Sequence, residues 1–160
     1  MQNIVVDIAD MKIAVGEDYE LTTYALGSCI GVTLYDPVAR VGGMLHYMLP
    51  EAAINPEKAR QNPFMFADTG IPLLFREAYK HGAVRGRLII KLAGGANVLD
   101  QSNHFNIGKR NYLAARKLFY RNNLLIASEF VGGISGKTMR LRLKDGRVEI
   151  KLPAGEVRAI

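Results

Sequence analysis

Two apolar runs separated by a turn constrain this chain more than any other feature. Residues 29 to 48 read CIGVTLY, then DPVA, then RVGGMLHYM. An Asp followed by Pro is favoured at the first two positions of a type I turn, so the two runs are expected to fold back as an antiparallel hairpin. If DPVA is a four-residue loop, Tyr35 pairs with Arg40. Counting outward, Thr33 meets Gly42, Gly31 meets Met44, and Cys29 meets His46. The opposite face of that register pairs Ile30 with Leu45, Val32 with Gly43 and Leu34 with Val41, an apolar surface suited to a core.

The rest of the chain fits round such a hairpin. NIVVDIA, KIAVG and LTTYALG read as early strands separated by turns. FADTGIPLLFREAYKHG reads as a first helix, capped by Asp68 or Thr69, with Pro72 in its first turn and Gly82 closing it in the left-handed region. His81, in that last turn, is placed to satisfy the helix dipole. The three-proline stretch PEAAINPEKARQNPFMF before it reads as an irregular loop, with Phe64 and Phe66 in the core. RLIIKLAGG is a strand stopped by Gly94 and Gly95, NIGKRNYLAARKLFYRNN a helix capped by Asn106, and LLIASEF a further strand. KTMRLRLKDGRVEIKL has the Asp145-Gly146 signature of a hairpin with a two-residue turn. Many strands and two main helices give an α/β fold with the helices stacked on largely antiparallel sheets. At 160 residues, with no internal linker or repeat, one domain spanning 1–160 is expected.

Lys and Arg number 21 against 15 Asp and Glu, a formal charge of +6. There is no zinc-ligand spacing, no Lys/Arg-rich block and no aromatic-basic motif, so the excess points to an acidic protein partner or a solvated face rather than to nucleic acid. With one cysteine there is no internal disulfide, and no apolar run approaches membrane-spanning length. The chain reads as a cytoplasmic protein without membrane insertion and with a free thiol. GGISGKT, at 132 to 138, lacks the first glycine of a phosphate-binding loop and the helix that should follow, and reads as a turn entering a strand. His104 and His81 have no partner at metal-ligand spacing.

The candidate chemistry lies at Cys29 and His46. A lone cysteine is commonly a small buried hydrophobe, but a thiol facing an imidazole is a nucleophile with its base, and an adjacent imidazolium lowers the thiol pKa. No Asp or Glu occupies a neighbouring strand position, so Thr23 or Thr22 is left to orient the ring. Gly27 and Ser28 are candidates to present backbone N–H groups to an oxyanion.

These residues resemble the family of chemoreceptor glutamine deamidases, CheD. The likeness is carried by Thr23, LGSC at 26–29, Asp36-Pro37, Gly42 or Gly43 followed by HYMLP at 46–50, ADT at 67–69, KLAGGA at 91–96, NIGKRN at 106–111 and Gly132-Gly133. The resemblance implies a sandwich fold and a Cys29-His46-Thr23 triad that converts receptor glutamines to glutamates through a thioester, with no metal or organic cofactor. It implies substrates in the cytoplasmic domains of methyl-accepting chemotaxis receptors, and a CheC-type phosphatase as a partner of family members. It also puts Gly94, Gly95 and Asn106 at the border of the site, and Lys137 or Arg140 where the family usually has an arginine. Two other readings fit the residues: a non-catalytic regulator of the phosphatase, and another cysteine-dependent acyl-transfer enzyme such as a protease or transglutaminase.

Overall fold

The computed structural model describes residues 1–97 and 106–160; His104 lies outside them. Among the described residues ten strands form two five-stranded sheets. The first has the order β1 (Gln2–Val5), β3 (Tyr19–Leu26), β8 (Lys137–Arg142), β9 (Val148–Lys151), β10 (Val157–Ala159). The second runs β2 (Asp10–Val15), β5 (Val41–Tyr47), β4 (Ile30–Asp36), β6 (Ile89–Gly94), β7 (Ile126–Val131). Among the strands of the described residues, β1 with β3 and β6 with β7 are parallel pairs and the rest are antiparallel. The short α1 (Pro56–Gln61) precedes the two main helices, α2 (Ala67–Lys80) and α3 (Ile107–Arg121).

The layers follow from alternation. Leu21, Met44, Met139, Leu141 and Ile150 meet in a core between the sheets. Val32, Leu34, Leu45, Ile71, Leu74 and Phe119 meet in a second core between the second sheet and the helices. Strands β4 and β5 are buried on both faces, as the middle layer of a sheet-sheet-helix sandwich requires. Among the described residues no helix is long and apolar enough to cross a membrane.

Both hairpins differ from the sequence expectation by two residues of register. In the first, Asp36 pairs with Val41, Gly31 with His46 and Ile30 with Tyr47, so Gly31, not Cys29, stands opposite His46. The loop is residues 37 to 40. Asp36 stays in the strand because its carboxylate accepts from the N–H groups of Val38, Ala39 and Val84 and from Arg87. Arg40, at φ 55°, closes the turn. A slip of two keeps every side chain on its expected face. In the second hairpin Arg142, not Lys144, pairs with Arg147: the Arg147 carbonyl accepts from Arg142 N–H, and the Arg142 carbonyl accepts from Gly146 N–H. Leu143 is drawn into the core, and its carbonyl accepts from the Tyr35 hydroxyl, so the turn spans four residues.

The helix starts also differ. Neither Asp68 nor Thr69 caps α2; Asp68 accepts from Ala52 N–H, and Thr69 donates to the Pro63 carbonyl. Pro72 lies in the second turn, where its missing N–H leaves the Asp68 carbonyl without an intrahelical donor. Gly82 closes the helix at φ 103°, and His81 Nδ1 lies 2.8 Å from the Glu77 carbonyl. Asn106 precedes α3 in the left-handed region and makes no side-chain cap. The three-proline stretch holds α1 and two single 3-10 turns, with Phe66 fully buried and Phe64 packed on the helix-side core.

Candidate active site

A bulge between Thr23 and Leu26 ends β3. Ala25 takes φ 58°, and Gly27 N–H donates back to the Ala25 carbonyl at 2.9 Å. Bulges of this kind re-aim a chain beside a functional site, and here the chain passes from the first sheet to the second. Cys29 lies on that crossover, half-buried, one residue before β4. Since His46 faces Gly31, Cys29 sits one diagonal step away on the same face, a separation of roughly 7–8 Å between α-carbons in a regular ladder.

Thr23, rather than Thr22, meets the imidazole. Thr23 Oγ1 lies 2.7 Å from His46 Nδ1 and donates to the Val6 carbonyl at 2.6 Å. Thr22 is taken up elsewhere, donating to Asn3 Oδ1 and receiving Arg140 Nε at 3.3 Å. The two threonines divide because adjacent strand residues face opposite ways. A hydroxyl has one hydrogen. With that hydrogen on the Val6 carbonyl, Thr23 is an acceptor toward the ring, so Nδ1 carries the proton and Nε2 carries the lone pair. His46 Nε2 is buried and has no partner among the described residues.

Burial pulls His46 down to about 4 and pushes the Cys29 thiol up to about 11. Both groups are therefore neutral at pH 7. The imidazolium-thiolate pair suggested by the sequence is replaced by a thiol and a bare imidazole nitrogen.

The residue that sequence reasoning missed is Asn111. It is fully buried on α3, and its Nδ2 donates to the Ser28 carbonyl at 2.9 Å and to the Met48 carbonyl at 2.8 Å. The Asn111 backbone carbonyl accepts from the buried Tyr47 hydroxyl at 2.5 Å. One side chain thus ties the segment before Cys29 to the segment after His46. An asparagine among surface-type residues of a helix was the available signal: Asn is a poor helix former unless its amide has a specific partner.

The candidate oxyanion groups separate. Gly27 N–H is committed to Ala25, whereas Ser28 and Cys29 N–H groups donate to no other backbone group among the described residues. Gly94 and Gly95 serve close packing. A Cβ on Gly94 would lie 2.2 Å from the Cys29 carbonyl oxygen, and Gly95 N–H donates to that same carbonyl at 2.8 Å. Gly108 packs on the Gly95 and Ala96 carbonyls, joining α3 to the loop. Asn106 lies farther out, in a groove with Lys109, Tyr112 and Gly133. Lys137 points inward and donates to the Gly132 and Ser135 carbonyls, holding the Gly132-Gly133 turn, whereas Arg140 lies beside Thr22 and Glu20.

A family model described as CheD chemotactic sensory transduction matches residues 48–152. A probable chemoreceptor glutamine deamidase CheD 1 of Syntrophus aciditrophicus is 47% identical over 160 residues, covering 100% of both chains. The chain belongs to the CheD family. A probable chemoreceptor glutamine deamidase CheD of Solibacter usitatus is 51% identical over 148 residues, covering 92% of this chain and 88% of its own. One of Pyrococcus horikoshii is 40% identical over 160 residues, covering 98% and 97%. The matched family span begins after His46, so the first third of this CheD-family chain is covered by the full-length relatives. A crystal structure of a Neisseria meningitidis protein aligns with a TM-score of 0.46 at 9% identity over 84% of this chain and 64% of that one, too distant to bear on the fold.

Chemically, the arrangement offers a thiol, a buried imidazole whose Nε2 has no partner among the described residues, and two N–H groups beside the sulfur that donate to no other backbone group among them. That is the equipment for acyl transfer from a carboxamide.

Proposed function

We propose that residues 1–160 form one protein-glutamine deamidase domain that acts on methyl-accepting chemoreceptors; its relatives are named probable chemoreceptor glutamine deamidases. Cys29 is the nucleophile, His46 the general base and Thr23 the residue that fixes the ring. The observation that carries this reading is the Val6 carbonyl, Thr23 hydroxyl and His46 Nδ1 chain, which leaves a buried, unpartnered Nε2.

As Cys29 Sγ attacks the glutamine side-chain carbonyl, its proton passes to His46 Nε2 and the carbonyl oxygen becomes an oxyanion facing the Ser28 and Cys29 N–H groups. The C–N bond then breaks, His46 gives the proton to the departing nitrogen, and ammonia leaves a thioester. Water, deprotonated by His46, attacks the thioester carbon. The C–S bond breaks, the thiol regains its proton, and glutamate is released. Asn111 fixes the spacing between the nucleophile and base segments through Ser28 and Met48.

Receptor cytoplasmic domains as substrates place the protein in the cytoplasm, and a CheC-type phosphatase as partner follows from the family resemblance. Incubation with a soluble receptor cytoplasmic fragment, followed by peptide mass mapping and ammonia measurement, tests the reaction. Wild type converts specific glutamines to glutamates, and Cys29→Ala and His46→Ala do not. Backbone cleavage or amine incorporation would identify a protease or transglutaminase instead, and wild type leaving every glutamine intact would reject the deamidase reading for that receptor.

A further inference from the structure

We propose that the exposed face of α3, with the groove beside it, docks an acidic segment of the protein substrate; this rests on the deamidase reading above. The helix carries Lys109, Arg110, Arg116, Lys117 and Arg121, all exposed, and no Asp or Glu. Among the described residues none of these five makes an ion pair, whereas Arg60, Arg87, Arg142 and Arg158 elsewhere each hold a carboxylate. Lys117 and Arg121 stand at i,i+4, a like-charge spacing that weakens a helix. A merely solvated helix face commonly mixes signs. This one does not.

Arg110, Lys117 and Arg121, at i, i+7 and i+11, form a row about 16 Å long on one side of the helix. They line a groove of about 500 Å³ whose floor includes Leu113 and Leu118, and whose other wall includes Pro50, Glu51 and Asp68. The groove is lined by neighbours in sequence of the residues that hold the Cys29 segment. Arg110 adjoins Asn111, which holds the Ser28 carbonyl, and Pro50 lies two residues beyond Met48, which Asn111 also holds. A segment in the groove would lie along the helix whose Asn111 holds the residue before Cys29. The acidic wall opposite the cations disfavours a uniform polyanion such as nucleic acid or an anionic membrane, and suits a polypeptide with carboxylates on one side and neutral or basic groups on the other. Each deamidation adds a carboxylate to the segment, so the basic row favours substrates already rich in glutamate.

The test compares wild type with the triple variant Arg110→Glu/Lys117→Glu/Arg121→Glu, and with the milder triple Gln variant, using a receptor cytoplasmic fragment and a short uncharged glutamine peptide. Exposed ion pairs are each worth roughly 1.4- to 5-fold. Reversing three should lower the ratio of kcat/KM for fragment over peptide by about tenfold or more, through KM, with the Gln variant intermediate. Rising NaCl should lower that ratio for wild type and leave the Glu variant flat. An unchanged ratio with unchanged salt dependence overturns the proposal. So does an unchanged ratio accompanied by lost binding to phosphatidylserine vesicles or duplex DNA, which would assign the face to lipid or nucleic acid. If wild type deamidates neither substrate, the deamidase reading fails by itself. Titration of the fragment onto Cys29→Ala with and without the three reversals then still decides whether α3 is the docking face.

Discussion

Replacing Thr23 with Val isolates what the hydroxyl contributes to His46. Valine keeps the shape and removes Oγ1, which now donates to the Val6 carbonyl and accepts from His46 Nδ1. The ring then has two choices. It keeps its proton on Nδ1 with no acceptor, at about 1–3 kcal/mol for an orphaned buried donor, or it moves the proton to Nε2, where the lone pair is needed. During attack the imidazolium carries protons on both nitrogens, and an unpaired charged N–H in this buried position raises the cost toward the upper end of that range. At about 1.4 kcal/mol per tenfold, kcat for glutamine deamidation should fall roughly 10- to 150-fold. KM should change little, because Thr23 touches the base and not the substrate.

Ammonia release from a receptor fragment measures the rate, and imidazole nitrogen NMR measures the tautomer: His46 Nε2 should be unprotonated in wild type, and the Nδ1 and Nε2 signals should be redistributed in Thr23→Val. Thr23→Ser restores Oγ1 and should recover activity to within a few-fold. A thermal melt separates loss of fold from loss of function. Wild-type kcat in Thr23→Val, or equal losses in Val and Ser, would refute the assignment of Thr23 as the acceptor for Nδ1–H.

Three further outcomes follow from the same geometry. Because the Cys29 thiol is pushed up to about 11 and His46 pulled down to about 4, only about one thiol in ten thousand is ionised at pH 7; iodoacetamide labelling should be slow there and rise about tenfold per pH unit, and labelling already at its plateau at pH 7 would indicate an ion pair instead. Asn111→Ala removes the donor shared by the Ser28 and Met48 carbonyls and should cost about 1–3 kcal/mol of stability, measured by denaturant titration, while lowering kcat more than it raises KM; kinetics equal to wild type would remove Asn111 from the positioning of the site. Asp36 is fully buried, and although burial alone would raise its pKa, Arg87 and three backbone N–H groups hold the carboxyl well below the usual range; Asp36→Ala should cost about 3–5 kcal/mol at neutral pH, and since a depressed carboxyl stabilises only while ionised, the gap should close as pH falls below about 4.

The layers of the fold were legible because alternation and helical period record which face is buried. Val32, Leu34 and Leu45 lie on the face that faces the helices, and Leu74 and Ala78 lie on the face of α2 that meets them. Register was less legible because it depends on how a turn is closed. DPVA and KDGR look like turn centres, yet each turn is displaced by a side chain with distant partners: Asp36 by Val84 and Arg87, Leu143 by Tyr35 and the inter-sheet core. Local chemistry names a turn, and tertiary contacts decide where it falls. Capping of α2 failed in the same way, since Asp68 and Thr69 had better partners in the preceding loop.

At the site, sequence pairing placed Cys29 on the face of His46, which the structure preserves, but it assumed that one hairpin holds the whole constellation. The structure spreads it over both sheets and a helix. His46 is on β5 of the second sheet, Thr23 on β3 of the first, Cys29 on the crossover between them, and Asn111 on α3 clamps the ends. The Val6 carbonyl adds the segment joining β1 to β2, which also donates from Ala9 N–H to the His46 carbonyl at 2.8 Å. No spacing rule within one element could reveal contacts made between layers. That arrangement also explains why so buried an imidazole is tolerated. The neutral ring needs one acceptor, Thr23 supplies it, and the hydrogen of Thr23 is itself satisfied by backbone, leaving Nε2, unpartnered among the described residues, as the atom that the proposed mechanism uses as its base.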